Sequence, residues 1–283
     1  MTKTYLIVAA LAAITSTHAT AQDSSFQISG SIGSLTNQDG GAGIESYNGI
    51  ESAATRATAE LGFSAAYGFG TGLTGVASLN FGGIDDSVDD DDATLSTSDL
   101  TLRVLADRGA YTFGGFLGFG THEDNGDSDE DMTYQYLGAE VAGDTSFGGY
   151  FVQVGYLDSA DEYDEGTQDA PFVNVGGSYD ITSDYSLTGS FGYAGGKKFG
   201  ADGDDNRTLN ASIGVERSVG NILVTAGYEF TQISFEDSDG DRFGDTFGEF
   251  TIGATYAFGG EANHGTLLPS FGNWVAFNAN EIE

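Results

Sequence analysis

The sequence predicts an all-β fold, a closed antiparallel barrel of about twelve strands with short turns at one rim and long acidic loops at the other. Three observations carry that prediction. Segments of about ten residues alternate apolar and polar residues with period two, the signature of a strand whose two faces meet different surroundings. The acidic residues cluster between these segments, at 85–92, 123–131, 158–169, 202–205 and 236–245. The connections alternate in length, tight and then long.

Taken in order, the strands fall near 25–35, 55–69, 73–83, 98–106, 110–120, 132–142, 146–157, 171–181, 184–195, 207–217, 221–235 and 246–258. The alternation is plainest in the run from Phe250 through Ile252, Ala254 and Tyr256 to Phe258, and in the run from Tyr185 through Leu187 and Phe191 to Tyr193. Tight turns are expected at Gly70-Thr71-Gly72, Asp107-Arg108-Gly109, Gly143-Asp144-Thr145, Thr182-Ser183-Asp184 and Ser218-Val219-Gly220. The remaining connections are expected to run to about ten residues or more and to carry most of the acid. Short turns on one rim and long loops on the other are the habit of barrels that cross a membrane, and a soluble sandwich has no reason to sort its loops so.

The first residues read as a removable address. Residues 1–21 hold Lys3, an apolar run from Tyr5 to Ile14 and a small-residue ending at Ala19-Thr20-Ala21, the three parts of a secretory signal peptide. The apolar run is about half the length a spanning helix needs. The barrel is then expected over 22–258, and 259–283 forms a tail either periplasmic or plugging the lumen. That tail is too apolar for a simple solvated end, with Leu267, Leu268, Phe271, Trp274 and Phe277.

Composition narrows the function classes. The chain has no cysteine, so it has neither a disulfide framework nor a thiolate metal site. A net charge of −34, with nine Lys plus Arg, cannot neutralise phosphates along a nucleic acid. Aromatics make up 12% of the residues, too many for a disordered acidic chain.

Parity sorts the side chains. One face carries Leu61, Phe63, Tyr67, Leu79, Phe81, Leu100, Leu102, Val104, Tyr111, Phe113 and Leu117; the other carries Arg56, Thr58, Glu60, Thr101, Arg103, Asn174, Asn210, Glu216, Glu229 and Glu249. Composition alone does not say which face is inside. The signal peptide, the even strand count and the aromatics at strand ends favour lipid against the apolar face. Closure then removes the sheet edges, as a bilayer requires.

With these features the chain resembles the bacterial outer-membrane β-barrel superfamily, and more loosely the acidic, glycine-rich porins of α-proteobacteria. The most specific element is the last strand, Thr251-Ile252-Gly253-Ala254-Thr255-Tyr256-Ala257-Phe258, which closes on aromatics. By that resemblance Tyr256 and Phe258 form the signal read by barrel-insertion machinery, and the outer membrane and its lipid are the destination. Two departures stand out. Family members usually end at that phenylalanine, whereas this chain runs on to Glu283, and 121–131 is short for a pore-constricting third loop.

The expected function is a porin-like channel for passive diffusion of small hydrophilic solutes. Its pore would be lined by Arg56, Glu60, Asp99, Arg103, Glu140, Glu216, Glu229 and Glu249, two cations against six acids, which predicts a preference for cations. The alternative is a non-conducting structural or adhesive surface barrel acting through its acidic loops. No cofactor is required on this reading. Asp237, Asp239, Asp241 and Asp245 have the alternate carboxylates of half a calcium loop but lack its closing glutamate, so they suggest Ca²⁺ or another divalent cation only weakly. Enzymatic activity is not expected: His18, His122 and His264 all lie outside the predicted strands, which leaves the wall without a general base of that kind.

Overall fold

Each alternating segment forms a strand, and each long strand pairs antiparallel with the next. A computed structural model of the chain describes residues 24–38, 55–69, 72–86, 93–124, 131–160, 167–198, 205–236 and 242–258. The strands are β1 (Ser24–Gln38), β2 (Thr55–Gly68), β3 (Leu73–Asp86), β4 (Ala93–Arg108), β5 (Tyr111–Asp124), β6 (Asp131–Thr145), β7 (Gly148–Ala160), β8 (Thr167–Gln168), β9 (Ala170–Asp180), β10 (Tyr185–Lys198), β11 (Asp205–Val219), β12 (Ile222–Glu236) and β13 (Arg242–Phe258). β8 is a two-residue piece that extends the β9 side of β10, so twelve long strands make the wall. Between the two pieces, Asp169 takes a left-handed conformation at φ 53°.

The sheet closes on itself. β1 pairs with β2 on one side and with β13 on the other, in a register that runs from Phe26↔Phe258 to Gln38↔Thr246. Every long strand therefore has two neighbours, and no edge is left to pair with another chain. The long strands run from 11 to 17 residues, enough for the 9–11 or so that a tilted strand needs to cross a bilayer.

Those lengths correct two expectations from the sequence. The ladders continue into segments expected to be loop: β3 reaches Asp86, β5 reaches Asp124 and β13 begins at Arg242. The stretches 39–54, 87–92, 125–130, 161–166, 199–204 and 237–241 lie outside the described residues. Backbone pairing satisfies N–H and C=O groups whatever the side chains are, so acidic residues do not end a ladder where they end a hydrophobic pattern. Three of the five tight turns also sit later than expected, whereas Thr182-Ser183-Asp184 falls between β9 and β10 as expected. Asp107 and Arg108 are paired strand residues and the turn is Gly109-Ala110; Gly143-Asp144-Thr145 belongs to β6 and the turn is Ser146-Phe147. Gly109 and Gly220, each first in a two-residue turn, have φ near 71° and 62°, as hairpin turns matching strand twist require.

The outer face is apolar. Leu100, Leu102 and Val104 on β4, Leu117 and Phe119 on β5, and Leu137 and Val154 beyond them are all exposed. Aromatics gather at the short-turn rim, where Tyr67, Phe69, Tyr111, Phe147, Tyr179, Tyr185 and Phe258 ring the outside. The Tyr185 ring also carries the Arg217 guanidinium, 5.1 Å from its centroid. The polar parity faces inward, which decides the question the alternation left open: this is an inside-out barrel with its apolar surface toward lipid.

Candidate functional site

The lumen has two halves of different character. Toward the long-connection rim, inward side chains pack against one another. Phe116, Tyr134, Tyr136, Leu157, Ala170, Phe172 and Ala194 form one buried cluster from β5 to β10. Leu35, Ile233 and Phe247 form another on β1, β12 and β13, with Ile84 packed against them. The rings find room because glycines face them on the next strand. The Tyr136 ring lies where a side chain on Gly118 would be, and the Tyr134 ring does the same over Gly120. The Phe116 and Phe172 rings stack with centroids 6.2 Å apart.

Polar groups inside this half are joined by hydrogen bonds. Asp99 accepts from Tyr136 Oη at 2.7 Å, Thr101 Oγ1 at 3.0 Å and Asn80 Nδ2 at 3.3 Å. Next to it, Arg103 Nε stands 3.8 Å from Glu140 Oε2, with both side chains buried. Gln153 donates to the same oxygen at 3.2 Å, and Asn174 donates to Gln153 Oε1 at 3.2 Å. Gly114 lies between Arg103 and Glu140 on β5, and its missing side chain opens the way for Glu140 to reach across that strand.

Toward the short-turn rim the lumen opens into a cavity of about 760 Å³. Its wall runs from rim residues such as Asp107, Gly109 and Asp144 up to the level of Glu60, Glu140 and Glu229. Small residues line most of it, glycines and alanines together with hydroxyls such as Ser29, Ser64, Thr188, Ser190 and Ser212. Glu60 accepts from Ser31 Oγ at 3.3 Å, Glu229 accepts from Asn210 Nδ2 at 2.8 Å, and Thr58 donates to Glu249 across β1 at Gly33.

Of the eight residues expected on the lumen wall, Glu60, Glu140, Glu216, Glu229 and Glu249 line this cavity. Arg56, Asp99 and Arg103 are buried in or beside the packed half and do not border it. Tyr256 and Phe258 end β13 on the outer face with their rings 4.6 Å apart, and the Phe258 ring packs at a tilt against Phe26 across the seam. Asp237, Asp239 and Asp241 lie outside the described residues, as do residues 1–21 and 259–283, His18 and His264. Asp245 and His122 are described only as backbone, in β13 and β5. Among the described residues no three His, Asp or Glu come together to hold a metal ion. The packed half was missed by sequence reasoning. Its signal was the pair Tyr134 and Tyr136 set opposite the glycine pair Gly120 and Gly118 in register.

No protein-family model matches the chain, and no curated protein matches it. Solved structures do. An outer membrane channel from Pseudomonas putida F1 superposes with a TM-score of 0.58 at 12% identity, over 83% of this chain and 95% of that one. A Pseudomonas aeruginosa FadL homologue gives 0.49 at 8% identity, over 83% and 90%. The translocator domain of the autotransporter NalP from Neisseria meningitidis gives 0.47 at 14% identity, over 90% and 96%. At these identities the likeness to the Pseudomonas putida channel is one of fold, and the fold is that of a bacterial outer-membrane barrel.

Proposed function

We infer that this chain is an outer-membrane channel of a Gram-negative bacterium through which small hydrophilic solutes diffuse, with a preference for cations. The observation that carries the reading is the cavity: a carboxylate-bearing space inside a barrel whose outer face is apolar. Inward acids outnumber inward arginines six to two, counting Glu60, Asp99, Glu140, Glu216, Glu229 and Glu249 against Arg56 and Arg103. A low-dielectric wall focuses that field along the lumen. The role is passage without catalysis. The looser likeness to acidic porins of α-proteobacteria agrees with this wall. The short turns would face the periplasm and the long connections the exterior, as in other barrels of this kind.

A second reading has its own observation. The half of the lumen toward the long connections is packed, with Tyr134, Leu157 and Phe247 at 3% exposure or less. A barrel that never opened there would be structural or adhesive and would conduct nothing. Planar-bilayer recording on the purified protein separates the two. The channel reading expects discrete conductance steps and, in a KCl gradient, a reversal potential of cation-selective sign that weakens in Glu60→Gln with Glu229→Gln. An anion-selective potential would overturn the cation preference, and absence of conductance would leave the structural barrel.

A further inference from the structure

We propose that the tail beyond the last strand, through its apolar segment 267–277, seats in the lumen cavity from the short-turn rim and acts as a removable plug. The placement rests on the cavity and the sequence; its consequence, control of flow, rests on the channel reading.

Reach comes first. β13 ends at Phe258 on the rim where the cavity opens, beside the turn residue Asn221, whose carbonyl accepts the Ala257 N–H at 2.9 Å. Residues 259–283 follow and lie outside the described residues. Glu249, which borders the inner part of the cavity, stands nine residues up β13, or about 30 Å of strand. The tail can span about 80 Å when extended, so it reaches the full depth of the cavity with chain to spare.

The rim itself is asymmetric. Ser25, Ala66, Thr74 and Thr112 turn inward there, border the cavity and are partly exposed. Leu223 and Ala257 turn inward at the same rim, yet they are 4% and 1% exposed and do not border the cavity. They form a buried apolar pair that no third buried residue joins among the described residues. Something lies over them on the sector where β13 ends, and the chain nearest to that place is the one that continues from Phe258.

Shape and charge agree with that occupant. The packed half of the lumen is filled by large side chains of the strands themselves, whereas the wall of the cavity is mostly glycine, alanine and small hydroxyl residues. The tail supplies what this wall lacks, in Leu267, Leu268, Phe271, Trp274 and Phe277. Seating them there removes apolar surface from water. In a chain of net charge −34, the segment 262–280 has no Asp or Glu, so it enters a space bordered by Glu60, Glu229 and Glu249 without repulsion. The amides of Asn273 and Asn278 bring donors for carboxylate oxygens.

The test uses two conveniences of the sequence: Trp274 is the single tryptophan, and there is no cysteine. Trp274 fluorescence is recorded from the full-length protein folded in lipid vesicles. The unlabelled protein meets dissolved acrylamide in one arm and brominated lipid chains in another. In a third arm a nitroxide is carried on Ser64→Cys or Ser212→Cys in the cavity, or on Val154→Cys on the outer face. The expected result is weak quenching by acrylamide and by lipid, and quenching by the luminal labels at least threefold stronger than by the Val154 label. Leu268→Asp with Phe271→Asp, which carries acid into an acidic lumen, should raise acrylamide quenching several-fold. Strong quenching by brominated lipid would overturn the proposal by placing the tail at the bilayer surface. Strong acrylamide quenching of the unsubstituted protein would overturn it by placing the tail in solution, and an unchanged value in the double variant would overturn it too. The plug leaves and returns, so the unsubstituted channel opens in steps, and the double variant should be open several-fold more of the time in planar bilayers. Placement is read without current, so the two readings fail separately. A conducting barrel with Trp274 in solution sinks this proposal alone, and a barrel with Trp274 in the lumen whose folded double variant never conducts sinks the channel reading alone.

Discussion

An arginine at Leu102 tests the inside-out assignment directly. Leu102 is 41% exposed on β4, between outward Leu100 and Val104 and level in the ladder with outward Leu117. It sits at the middle of the apolar stretch of its strand, where the bilayer midplane is expected. An arginine there has no partner, since the nearby carboxylates Asp99 and Glu140 face the lumen. The cost of such a charge on the lipid face is about 2–4 kcal/mol at the midplane, falling to about 0–1 kcal/mol near the interfaces. About 3 kcal/mol is a change of about 150-fold in the folding equilibrium. With a denaturant slope of about 2 kcal/mol per molar, the urea midpoint should fall by about 1.5 M. Equilibrium unfolding of the protein in lipid vesicles, followed by sheet circular dichroism, measures this. Leu73→Arg, at the short-turn end of β3, is the depth control and should cost less than 1 kcal/mol or so. If Leu102→Arg costs no more than Leu73→Arg, Leu102 does not meet hydrocarbon and the assignment of faces is wrong.

Three further outcomes follow from the same geometry. Arg103→Met strands the buried Glu140 carboxylate and should cost about 3 kcal/mol, most of it regained in Arg103→Met with Glu140→Gln; unfolding titrations of the single and double variants measure the coupling. Phe116→Ala with Phe172→Ala removes two stacked rings from the packed half, so single-channel conductance should rise several-fold. Unchanged conductance would mean that this packing does not limit flow. Cysteines at Asp90, Asp127 and Asp204 should react with a membrane-impermeant reagent on intact cells while one at Thr71 does not; the opposite pattern would reverse the proposed orientation.

The sequence made some of this plain and hid the rest for identifiable reasons. The run from Thr251 to Phe258 could only be a strand, because every large apolar residue falls on one parity, and the same parity put Glu60, Glu229 and Glu249 on a common face. Alternation is symmetric, however. It separates two faces without saying which meets lipid, and that took the closed barrel, with Leu100, Leu102 and Val104 exposed and Asp99, Thr101 and Arg103 buried, to decide. Strand ends were misplaced because hydrophobic pattern stops where the bilayer stops, while hydrogen-bonded pairing goes on through Asp86 and Asp124. The Asp99 site was hidden most deeply. Its partner Tyr136 lies two strands away and reaches it only because Gly118 leaves the intervening strand bare. Nothing local to Asp99 announces that arrangement.

The seam between β1 and β13 has a consequence for how the chain could be cut. Its ladder is as regular as any other in the wall, and it brings Phe26 and Phe258 side by side at one rim with their ring centroids 5.5 Å apart. The finished barrel therefore carries no trace of where the polypeptide starts. A circular permutant, its old ends joined across that rim and a new break made at Gly109-Ala110, would preserve every long-strand ladder. What it would change is the order of synthesis, since the aromatic strand would no longer be the last to leave the ribosome. Stability that survives permutation together with assembly that fails would show that the final strand matters to delivery and not to the wall it completes.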